Sequence, residues 1–64
     1  MENIAYKFVS IYTTDGKQHY FNNVTFRKMS NSICTWLRVI DTQYGCDIGD
    51  FRVDRIVKIK GKLQ

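Results

Sequence analysis

The sequence predicts an all-β fold, a small four- to five-stranded meander sheet or SH3-like barrel. Three observations carry this expectation. Residues that favour pleated structure recur in short runs. An Asp-Gly pair separates the first two runs. No proline occurs anywhere, and the four glycines fall at or near the ends of the runs. At 64 residues the chain is expected to form one domain, residues 1–64. A domain of this size buries only about 60% of the surface its unfolded chain exposes. One core on this scale supplies roughly 3–5 kcal/mol, so association or a covalent staple is a common supplement.

The elements follow in order. Met1 to Asn3 is a polar lead. Ile4 to Thr14 contains Ile4, Tyr6, Phe8, Val9, Ile11, Tyr12, Thr13 and Thr14, and reads as the first strand. Asp15-Gly16 predicts a two-residue type I′ hairpin turn, because Gly takes positive φ freely and Asp tolerates it. That turn sets Thr14 opposite Lys17, Tyr12 opposite His19 and Ile11 opposite Tyr20. Continued unchanged, the register pairs Phe8 with Asn23 and Lys7 with Val24. A one-residue bulge at Asn22-Asn23 instead sets Val24 opposite Phe8 and Phe26 opposite Tyr6, and supplies the bend a small barrel needs. The second strand then runs from Lys17 to about Lys28.

Ile33 to Ile40 reads as the central strand. It holds the only tryptophan and the densest apolar run. Ile33, Trp36, Leu37 and Ile40 also fall at helical spacing with Ser32 as a cap, yet the segment contains no Ala, Glu, Lys or Gln. As a strand it places Ile33, Thr35, Leu37 and Val39 on one face, and Cys34, Trp36, Arg38 and Ile40 on the other. Both faces carry large apolar groups, whereas a half-exposed strand alternates apolar with polar. So little chain cannot cover both, and homodimerisation or docking on a protein partner through Cys34, Trp36 and Ile40 is the leading expectation. If Trp36 points inward it is core instead.

Asp41 to Asp50 is irregular, punctuated by Gly45 and Gly49, with a possible short strand through Cys46 to Ile48. The last strand spans about Phe51 to Lys60 and stops at Gly61, unless Val53 to Ile56 forms a single helical turn leading into a shorter strand. Along it Val57 and Ile59 point one way, Lys58 and Lys60 the other.

Charge is distributed unevenly. Residues 1–50 hold five basic and five acidic side chains, so the formal excess of +4 belongs to Arg52, Arg55, Lys58, Lys60 and Lys62 set against Asp54. On a strand Lys58, Lys60 and Lys62 share a face at roughly 6.5–7 Å spacing. With Arg55, and with Tyr6, Tyr12, Tyr20, Phe21 and Trp36 as stacking surfaces, they form the alternative expectation, a salt-sensitive nucleic-acid contact on a small barrel. The plainer reading is that the lysines blunt an edge strand against aggregation, and it is the preferred one.

Chemistry is sparse. His19 has no nucleophile or orienting group near it in sequence, and cross-strand packing against Tyr12 is expected. Asp41, Asp47, Asp50 and Asp54 lack the ligand spacing and terminal Glu of a calcium loop. Cys34 and Cys46, with one histidine, do not complete a zinc site, and are read as reduced thiols of a cytoplasmic protein. The N-terminus lacks a basic region followed by an apolar stretch, and no run approaches the ~18 apolar residues of a membrane span. No phosphate-cradling glycine loop, Cys-x-x-Cys pair or nucleophile elbow occurs. The expectation is a binding module and not an enzyme, with no cofactor, metal or small-molecule substrate. In size and style the chain looks like many small phage and prophage proteins, a likeness that no motif carries; it implies an accessory or regulatory role.

Overall fold

The computed structural model describes residues 4–64; the polar lead Met1 to Asn3 lies outside them. Five antiparallel strands form one sheet: β1 (Ala5–Thr13), β2 (Gln18–Ser30), β3 (Thr35–Asp41), β4 (Asp47–Arg52) and β5 (Ile56–Leu63). A 3-10 turn, Val53–Arg55, joins the last two. The order across the sheet is β4-β3-β2-β1-β5. The first four strands therefore make a meander, and β5 returns to flank β1.

The sheet is not closed into a barrel, but it is forced to coil. Arg52 and Ile56 are four Cα steps apart, at most ~15 Å even when extended. The first and fifth strands of a flat sheet lie ~19 Å apart at 4.7–4.9 Å per strand. A connection this short draws the two edges together at its own end.

The β1–β2 hairpin differs from expectation by one residue. Thr13 N–H bonds the Lys17 carbonyl at 3.1 Å, and Gly16 N–H bonds the Thr13 carbonyl at 3.0 Å. The loop therefore has three residues, with Gly16 at φ +84° and Asp15 outside the positive-φ region. A type I turn followed by a left-handed glycine needs only one such residue, where type I′ needs two. Tyr12 accordingly faces Gln18, Ile11 faces His19 and Ser10 faces Tyr20.

The expected bulge at Asn22-Asn23 is not a register shift, because β1 and β2 hold one register from Tyr12↔Gln18 to Ala5↔Thr25. Val24 faces Tyr6 and not Phe8. The irregularity at that place takes another form. Asn23 adopts φ +54°, and the core-facing residues step by three across it, from Phe21 to Val24, and then by two to Phe26. On β1 the same steps run Tyr6, Val9, Ile11. Both strands reset their alternation together, so the pairing survives while Val24 stays inside. Thr42 donates from its backbone N–H (3.0 Å) and its hydroxyl (2.9 Å) to the Asn23 carbonyl, and so holds the bend.

β2 is the middle strand. Its first half pairs with β1 and its second half, Val24–Ser30, with β3. The Trp36 strand is thus second from an edge and not central, and Ile33 is a loop residue, 87% exposed. Val9, Ile11, Val24 and Val39 are fully buried, with Tyr6, Phe21, Phe26, Phe51 and Ile56 packed around them. Gly61 does not end the last strand but lies within it, opposite Val9. A Cβ there would sit 3.0 Å from the Phe8 carbonyl oxygen and 3.1 Å from a Val9 methyl, so only glycine lets β5 lie close to β1.

Candidate functional site

Two surfaces hold the residues that the sequence singles out. On β3, Trp36 pairs with Met29 and Arg52, and Ile40 pairs with Thr25 and Asp47. Both are half-buried, as is Cys34, which precedes the strand and whose N–H donates to Asn31 Oδ1 at 2.9 Å. Between Trp36 and Ile40 lies Arg38, bonded to Asp50 at 3.0 Å and Asp47 at 3.3 Å. The hydrogen bond to Asp50 and the charge of Asp47 raise the Arg38 pKa further above its ordinary value, so the guanidinium stays charged. An ion-paired arginine therefore divides this apolar patch.

Near Trp36 an open cleft of about 350 Å³ is walled by His19, Phe51, Arg52 and Arg55. His19 does not pack on Tyr12. It lies opposite Ile11, edge-on to Phe51 with ring centroids 4.9 Å apart. Its Nε2 is 3.4 Å from the Thr13 hydroxyl, a long contact. Arg52 pairs with Asp54 at 3.1 Å, while its Nε is buried without a hydrogen-bond partner. Guanidinium and aromatic groups meet here. Arg55 belongs to this cleft, away from the lysines.

The second surface is the outer face of β2, β1 and β5. Residues directly opposed across antiparallel strands share a face, and the ladders set three rows side by side: Gln18, Tyr12, Lys58; Tyr20, Ser10, Lys60; Asn22, Phe8, Lys62. Lys58 Nζ stands 5.0 Å from the centre of the Tyr12 ring, a cation–π contact. Phe8 and Tyr20 stack with centroids 6.1 Å apart at 20°. Ser10, roofed by Gln18 whose amide reaches its hydroxyl at 3.3 Å, is buried. Of the aromatics expected to offer stacking faces, Tyr12 and Tyr20 are here, whereas Tyr6 and Phe21 pack against the core. Phe8 joins this face opposite Lys62, through a β1–β5 pairing that has no local trace in the sequence.

Both edges of the sheet are open. Among the described residues no strand covers the outer side of β4 or β5. Ile59 and Leu63 oppose Ile11 and Tyr6 on the core face, yet are 42% and 56% exposed. Ile48 on β4 is 45% exposed. Cys34 and Cys46 are free thiols. Among the described residues, no group of three or more His, Cys, Asp or Glu is arranged to hold a metal ion, and no helix is long and apolar enough to cross a membrane. No family model, curated protein or solved structure matches the chain.

Proposed function

We propose that this protein is a non-enzymatic binding module that completes its core by association with further copies of itself, the β5 edge of one copy against the β4 edge of the next. The observation that supports this reading is the exposure of Ile59 and Leu63. They occupy core-facing positions on a strand beyond which no described residue forms another strand. Unpaired edges attract further strands, and an added strand would cover these side chains as well as the bare backbone.

The choice of β4 as the partner edge rests on charge. Two β5 edges side by side would bring Lys58, Lys60 and Lys62 against their own counterparts, and like charges directly opposite destabilise a ladder. β4 carries no lysine, so that repulsion does not arise there, and its Asp47 and Asp50 already offset Arg38. A contact between two different edges is heterologous, so it closes into a ring or continues as a filament. The ion pair that divides Trp36 from Ile40 shifts the weight from that patch to the edges.

Sedimentation equilibrium from ten to a few hundred micromolar tests the proposal. The expected result is a mass rising with concentration above the 7.6 kDa monomer, abolished in Ile59→Lys. A monomer throughout that range would overturn self-association. Association lost in Trp36→Ala but retained in Ile59→Lys would transfer it from the edges to the Trp36 face.

A further inference from the structure

We infer that the outer face of β2, β1 and β5 is a binding site for single-stranded nucleic acid. Four features converge there. Lys58, Lys60 and Lys62 form one exposed column, and none makes an ion pair with a described carboxylate. The pleat fixes their repeat at roughly 6.5–7 Å, the scale of the phosphate repeat in an extended strand. No acidic side chain occupies any of the nine positions in the three rows. Beside the column lie the rings of Phe8 and Tyr20, 37% and 56% exposed.

Lysines that only protect an edge need no aromatic neighbours. Here the rings lie one and two strands inward, where they do nothing for the bare backbone of β5. Charge beside exposed rings is the pairing that unpaired nucleotides require: cations track the backbone and bases stack on aromatic faces whatever their sequence. Lys58 is held over Tyr12, so Lys60 and Lys62 reach the phosphates while Tyr20, backed by Phe8, receives a base. In a duplex the bases are stacked on one another and offer the ring no free face. The site prefers single strands for that reason. It does not depend on edge pairing, since all nine positions of the three rows belong to one chain.

Fluorescence anisotropy with labelled oligo-dT and oligo-U, each also hybridised to its complement, tests the inference at about 50 and 200 mM salt. The single strands bind more tightly than the duplexes. Two phosphate contacts, from Lys60 and Lys62, give a slope of log K on log salt near −1.4, at about −0.7 per contact, and Lys60→Gln reduces its magnitude by about 0.7. Tyr20→Ala weakens binding about five-fold or more while leaving the slope unchanged; Tyr20→Leu, which keeps the apolar bulk, does the same if the alanine variant fails to fold. Absence of binding at the lower salt overturns the inference. So does binding that polyglutamate displaces as readily as oligo-dT and that neither Tyr20 variant alters, because the face would then be a generic cation patch. A chain that binds oligo-dT yet sediments as a monomer up to a few hundred micromolar refutes the edge-pairing proposal alone.

Discussion

Ile11 and Ile59 are the same residue, on the same face, directly opposite each other on neighbouring strands. Ile11 is fully buried and Ile59 is 42% exposed. Ile11 has a strand on either side, with His19 across one ladder and Ile59 across the other. Ile59 has one neighbour and then solvent. In a sheet this small, place in the strand order decides burial as strongly as side-chain type does. The molecule divides accordingly into a core of β1, β2 and β3 and a periphery at both edges.

Truncating both isoleucines gives the sharpest contrast. Ile11→Ala is expected to cost about 2–5 kcal/mol, since it opens a cavity among Val9, Val24 and their neighbours. Against the roughly 3–5 kcal/mol available to such a core, this leaves most molecules unfolded in a urea titration at low protein concentration. Ile59→Ala under the same conditions costs less than about 1.5 kcal/mol, because its site is already half open to water. Equal losses at the two positions would erase the distinction between core and edge.

The bend at Asn23 probes how the core half is held. A β-branched residue at φ +54° is strained by roughly 1–2 kcal/mol, so Asn23→Val lowers stability by about that amount. Asn23→Gly stays within a few tenths, apart from its lost hydrogen bond to Gln64. Matching midpoints for the two variants would show that the reset does not need the left-handed conformation.

The smallest effect lies in the exposed hairpin loop. The Thr13 hydroxyl and then the Lys17 N–H bond the Asp15 carboxylate and lower its pKa below 3.8. A carboxylate with a depressed folded-state pKa stabilises the fold above its unfolded pKa, and that contribution fades as pH falls from about 4 through the lowered value. Asp15→Asn therefore lowers neutral stability slightly and removes that small part of the fall below pH ~4, so that the two proteins converge in acid. Amide exchange of Lys17 followed by NMR reads this loop directly.

The local features of this fold were legible in the sequence. Alternating β-formers marked the strands, Asp15-Gly16 marked the turn, and the polar pair Asn22-Asn23 marked the bend. The loop is one residue longer than Asp-Gly predicts, because Asp-Gly serves two loops equally well. Which one forms depends on whether Thr13 and Lys17 close the ladder, a contact that dipeptide preference does not report. Gly61 looked like a strand end, since glycine weakens strands, but it is needed inside β5 where the backbone of β1 comes close. The pairing of β5 with β1 was illegible altogether. It joins residues far apart in sequence and leaves no short-range pattern. The lysine column could be read from period two, whereas the rings beside it became a single surface only once that ladder was known.

That ladder also has a kinetic consequence. Tyr6 meets Leu63 and Thr13 meets Ile56, so β1 and β5 zip together only after a loop spanning most of the chain has closed. Hairpins such as β1–β2 form in microseconds, whereas distant pairing must first overcome the entropy of ring closure. During folding the outer border of β1 therefore waits bare while the meander is already assembled. In that interval the β5 of a neighbouring molecule fits the gap as well as the chain's own, which makes strand exchange between molecules the characteristic hazard of refolding this protein at high concentration.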